Sequence, residues 1–121
     1  MSIFTPIETL PPFGGIQQIY RFENGLGASV VSHKYSYGWK EGLWEMAVIT
    51  FDDEGEWYIT YKTSICSDVL GFLTADDVHK TLNEINDLVL SEELHEELIR
   101  DVEQSKREII LSTLANEAKN S

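Results

Sequence analysis

Cysteine is all but absent: Cys66 stands alone in 121 residues and can close no internal disulfide, which points to a reducing compartment. Basic residues are scarce too, 9 against 21 acidic ones, for a net charge of −12. That balance argues against direct nucleic-acid binding, which draws its affinity from Lys and Arg on phosphates. No apolar run is long enough to cross a bilayer and no charged-then-apolar leader is visible, so neither membrane nor export is expected and a cytoplasmic location is. The residues of metal and cofactor chemistry are also missing. His33, His79 and His95 have no second His or Cys at ligand spacing, there is no HExxH or CxxC, and Gly25 and Gly27 lack the third glycine and following helix of a phosphate cradle. Cys66 has no nucleophile signature and reads as a small buried hydrophobe. No cofactor, no metal and no catalytic residue is expected.

What is present is a pattern for one α+β domain, and a chain of this length can bury a core without staples. Proline is confined to Pro6, Pro11 and Pro12, so residues 1–15 read as an irregular arm with short extended pieces and no helix. Residues 16–62 read as a four-stranded antiparallel meander in the order of sequence. Ile16, Tyr20 and Phe22 share one parity, and Asn24-Gly25 is a strong hairpin signal. Val31, His33, Tyr35 and Tyr37 alternate with Ser32, Lys34 and Ser36, which predicts a strand continuing to Tyr37. Leu43 to Phe51 is apolar at nearly every position, as suits a central strand, and Trp57, Ile59 and Tyr61 alternate again. The acids of Asp52 to Glu56 lie too close together for a calcium loop and read as a hairpin turn around Gly55.

Residues 63–73 read as a connection with room for a short edge strand, and residues 74–119 as two helices packed on one face of the sheet. Thr74 and Asp77 have the spacing of a capping box, and Val78, Leu82 and Ile85 recur at helical period. Ser91 reads as the cap of the last helix, with Glu92 and Glu93 at the positive end of its dipole. Its apolar stripe breaks off between Val102 and Ile109, and about 27 residues would extend roughly 40 Å, beyond the reach of a small sheet. The helix is therefore expected either to fold back near Ser105 or to pair in a homodimer that buries Leu98, Val102 and Ile109. Glu96 with Arg100 and Glu103 with Arg107 stand at favourable i, i+4 spacing.

Two surfaces stand out as candidate binding sites. Glu92, Glu93, Glu96 and Glu97 put four acids into six residues without a base. The segment YSYGWKEGLW collects Tyr35, Tyr37, Trp39 and Lys40 between glycines, and aromatic residues on a loop are the type that anchors interfaces. A different class of function would use a small-molecule or catalytic pocket beside His33, lined by Tyr35, Tyr37 and Trp39.

The runs GLGASVVSHKYSYG (Gly25 to Gly38), GLWEMAVITFD (Gly42 to Asp52) and DVLGFLTADDV (Asp68 to Val78) resemble a group of small proteins of unassigned function encoded by tailed phages. The resemblance covers the central half of the chain and brings no site residues with it. It implies a phage or prophage origin and a host-cytoplasm setting. The expected function is that of a small acidic non-enzymatic domain binding a host or phage protein, with a basic nucleic-acid-binding partner and inhibition by mimicry of DNA charge as its most specific form.

Overall fold

In the computed structural model, which describes residues 4–120 except 64 and 66–68, six strands and two helices follow the chain. They are Glu8–Leu10 (β1), Ile16–Arg21 (β2), Leu26–Ser32 (β3), Trp44–Phe51 (β4), Trp57–Ile59 (β5), Leu70–Leu73 (β6), Ala75–Asn86 (α1) and Glu92–Asn120 (α2). Cys66 lies outside the described residues. Strands β2 to β5 form the expected antiparallel meander in sequence order. Two short strands extend it. The arm contributes β1, antiparallel to β2 with Glu8 opposite Ile19. The connection contributes β6, which shares one edge of β4 with β5: Met46 and Trp44 pair with Leu70 and Leu73, while Ile49 to Phe51 pair with Ile59 to Trp57. The near-continuous apolar run of β4 is thus that of a central strand, as its sequence suggests.

One face of the sheet and the helices make the core. Tyr20, Phe22, Leu26, Ala28, Val30, Met46 and Val48 cluster with Val78, Leu82 and Ile85 of α1 and Leu98 of α2. Tyr20 and Phe22 are of the predicted apolar parity of the first strand, though Ile16 of the same parity is 45% exposed, and Val78, Leu82 and Ile85 are the predicted stripe of α1. Each fully buried aliphatic side chain contributes about 1.5–3 kcal/mol. Ile19, Ala47 and Ile49 are buried on the other parity, outside this cluster, with Ile59 directly across from Ile49.

The caps work as read. The Thr74 hydroxyl accepts from the Asp77 amide at 3.1 Å, the Asp77 carboxylate accepts from the Thr74 amide at 3.0 Å, and Ser91 Oγ accepts from the Leu94 amide at 3.1 Å. The second of these bonds, from the Thr74 amide, holds the Asp77 carboxyl below its ordinary pKa. Asn24 does more than turn the hairpin. Its Oδ1 accepts from the Leu26 amide while its Nδ2 donates to the carbonyls of Ile85 and Leu88 at the end of α1.

Three expectations are corrected. The third strand stops at Ser32, because Ser36 folds the chain into a turn there, as described below. The last helix does not break near Ser105 but runs unbroken over 29 residues. Leu98 and Val102, 2% and 5% exposed, are buried within their own domain. The i, i+4 ion pairs do not form either. Among the described residues the ion pairs are Lys62 with Asp101 at 2.9 Å and Lys106 with Asp52 at 3.5 Å, both of which tie α2 to the sheet. No helix among the described residues is long and apolar enough to cross a membrane.

An exposed aromatic end as the candidate functional site

The loop after β3 is built by one serine. Ser36 is 8% exposed. Its Oγ accepts from the His33 amide at 2.9 Å and donates to the His33 carbonyl at 2.8 Å, and its own amide donates to the same carbonyl at 2.8 Å. This knot ends the period-2 pattern and turns both flanking tyrosines outward. His33 is half-buried, and its Nδ1 accepts from the Tyr35 amide at 3.1 Å. The Tyr37 amide donates to Glu45 Oε2 at 3.0 Å. Gly38 and Gly42, at φ 89° and 72°, bracket a single 3-10 turn that carries Trp39 and Lys40.

Two phenylalanines that sequence reading missed complete the surface. Phe13 comes from the arm, its ring centroid 4.8 Å from Tyr35 and 5.2 Å from His33, both edge-on. Phe72 comes from β6, 6.1 Å from Tyr37. Phe13 and Phe72 are the non-glycine residues of positive φ among those described, at 49° and 56°. A bulky residue in that region costs of order 1–3 kcal/mol and persists where the surrounding structure imposes it. The cause at Phe72 is visible. One residue of β4, Glu45, lies between Trp44 and Met46 while two, Gly71 and Phe72, lie between Leu70 and Leu73, and this bulge re-aims the Phe72 side chain. Gly71 beside it admits Tyr37, whose Cβ would lie 2.7 Å from a Cβ added there.

The result is two exposed ring pairs, Phe13 with Tyr35 and Phe72 with Tyr37, at the end of the sheet where β3 finishes and β4 begins. Tyr35, Tyr37, Phe13 and Phe72 are 67%, 58%, 62% and 59% exposed. The Lys34 amine lies 5.1 Å from the Tyr35 ring centre, giving that face a local positive charge. Trp39 is 39% exposed on the neighbouring turn, with Lys40 beside it, and touches no ring of the cluster. Trp44 is packed against the core.

The acidic candidate lies elsewhere. Glu92, Glu93, Glu96 and Glu97 are all exposed at the start of α2, beside the Asn24 turn. That turn precedes β3 and the aromatic loop follows it, so about seven residues at roughly 3.3 Å each separate the two candidates by some 20 Å. The hairpin acids Asp53, Glu54 and Glu56 are exposed at the acidic end too, since Thr50 pairs with Leu26. The sheet therefore has one aromatic end and one acidic end.

At the acidic end Asp52 has a structural task. Its side chain is 3% exposed. Its Oδ1 accepts from the amides of Glu54 and Glu56 at 2.8 and 2.9 Å, and its Oδ2 from the Tyr58 hydroxyl at 3.1 Å. Burial pushes the carboxyl up, but the two amides, the hydroxyl and the Lys106 amine outweigh it and hold its pKa below the ordinary value. Burial and the Asp52 bond together push the Tyr58 hydroxyl up. Lys106 is raised, because Asp52 and Glu54 outweigh the effect of its own burial. A cleft of about 200 Å³ lies between this hairpin and α2, lined by Arg21, Phe51, His95, Val102 and Lys106 among others. Its most buried polar group, Asp52, is already satisfied, and the Arg21 guanidinium stacks 4.5 Å from the Phe51 ring centre. His33 does not line this cleft. Among the described residues no group of three His, Cys, Asp or Glu is placed to hold a metal.

Comparison with known proteins gives no match: no family model fits the chain, and no curated protein or solved structure is significantly similar to it.

Proposed function

We propose that this chain is a small non-enzymatic protein-binding domain, of phage or prophage origin, that acts in the host cytoplasm by docking the aromatic end of its sheet on a host or phage protein. One observation carries the reading. Two phenylalanines are held at positive φ in largely exposed positions, each against a tyrosine of the same loop. Water gives no reason to keep two pairs of large rings exposed at one end of the sheet, and exposed apolar clusters mark interaction sites. Tyr and Phe are also the residue types that anchor interfaces, because they bring large rigid area at low entropic cost. A basic partner is served by the other end of the sheet, where the hairpin acids and the first turns of α2 converge. Occupation of a nucleic-acid-binding protein there, in competition with DNA, is the inhibitory form of the reading.

Paired affinity capture from bacterial lysate tests it, with the intact chain, Tyr35→Ala with Phe72→Ala, and the Gln variant of Glu92, Glu93, Glu96 and Glu97 as baits. A partner retained by the intact and Gln baits and lost with the ring variant is the expected result. A partner indifferent to the rings and lost with the Gln bait would move the site to the acidic end.

A further inference from the structure

The far half of α2 leaves its own domain. Leu98 and Val102 are its last buried residues, and Ile109, Ile110, Leu111 and Leu114 beyond them are 57%, 57%, 59% and 55% exposed. The helix nevertheless continues to Asn120. A helical tip of that length, about 27 Å at 1.5 Å per residue, is marginal in water unless an apolar face is covered. Four large aliphatic residues within six positions are more than scattered surface apolarity.

We infer that a second copy of this chain covers the tip, in an antiparallel pairing of α2 with α2 through Ile109, Ile110 and Leu114. Charge selects that occupant and that direction. The whole chain carries −12, yet in residues 104–116 Arg107 balances Glu108 and the remaining base, Lys106, is paired with Asp52, so the tip is close to neutral. The tip is thus an extended surface where a second strongly acidic body can approach without local repulsion. A parallel pair would set the Glu92 to Glu97 clusters of both copies side by side, whereas an antiparallel pair sends the two domains to opposite ends and opposes the helix dipoles favourably. The aromatic end of each sheet stays free, so the dimer is bivalent.

Sedimentation velocity on the full chain, from micromolar to several hundred micromolar and at low and high salt, is the test. The expected result is a species of twice the 13.8 kDa chain mass that strengthens as salt screens repulsion between the acidic bodies. Ile110→Glu with Leu114→Glu should give a monomer whose thermal midpoint matches that of the parent under conditions where the parent is also monomeric, since neither residue belongs to the core. Ile110→Ala with Leu114→Ala should weaken association at least tenfold, at roughly 1.4 kcal/mol per factor of ten. A monomer throughout the concentration range overturns the inference, and so does a dimer that survives both glutamates or one that dissociates as salt is raised. None of these outcomes depends on Tyr35 or Phe72.

Discussion

The Asn24 side-chain amide donates to the carbonyl of Ile85 at 2.7 Å, across 61 residues of sequence. A hairpin turn thereby closes the end of a helix, supplying a donor where α1 runs out of its own amides. Asn24→Ala should cost about 1–3 kcal/mol by leaving the Ile85 and Leu88 carbonyls short of a partner. Asn24→Asp should cost at least as much, because one carboxylate oxygen keeps the Leu26 amide while the other faces two carbonyls. Urea midpoints of the two variants check this. A loss confined to the Ala variant would mean that the turn, rather than the clamp, is what matters.

Asp52 sets the acid limit of the fold. Its carboxyl titrates lower in the folded chain than in the unfolded one, so its contribution is complete above the unfolded value and is lost as pH falls through the folded value. Stability should therefore drop below about pH 4. Asp52→Asn should make the intact chain less stable at neutral pH and flatten that drop. It should not abolish it, since Asp77 is lowered as well through the Thr74 amide. Unfolding midpoints between pH 2 and 7 give the slopes, and parallel slopes for variant and parent would remove Asp52 from the explanation.

Gly71 should tolerate no side chain. A Cβ there meets Tyr37 Cβ at 2.7 Å, so Gly71→Ala should displace Tyr37 from Phe72 and alter the loop while leaving Val78, Leu82 and Ile85 packed. Amide chemical shifts would show the change confined to residues 33–43 and to β6. Changes spreading through α1 would mean that the loop and the core are one unit.

Much of the fold was legible because it rests on local chemistry: the period-2 strands, the Asn24-Gly25 turn, the capping box at Thr74 and the Val78 stripe all act within a few residues. The end of β3 was not legible, since Val31, His33, Tyr35 and Tyr37 alternate as a strand would. Only the buried Ser36 bonding back to His33 decides otherwise, and a serine gives no such sign in sequence. Strands β1 and β6 are short edge pieces whose pairing depends on the sheet already being there. At the site, Tyr35 and Tyr37 were visible as aromatics suited to contact, though not that both would be exposed, while Phe13 and Phe72 were not visible. They join the loop by tertiary approach from 20 or more residues away, in a backbone region that sequence normally reserves for glycine. Residues 92 to 97 were read correctly as an acidic surface, but its separation from the aromatic loop follows only from the sheet register.

The most direct measurement on the aromatic end requires no partner: equilibrium unfolding of Phe13→Gly and Phe72→Gly. Rings that are about 60% exposed contribute little burial, roughly 1 kcal/mol each by area, while positive φ in a bulky residue costs about 1–3 kcal/mol. Glycine relieves that cost and adds unfolded-state entropy of about 0.5–1 kcal/mol. If the rings are kept for contact with another protein, both glycine variants should match the parent to within about 1 kcal/mol or exceed it. A loss of more than about 2 kcal/mol in either would show that the ring is packed for the fold, and would contradict a docking surface at that end of the sheet.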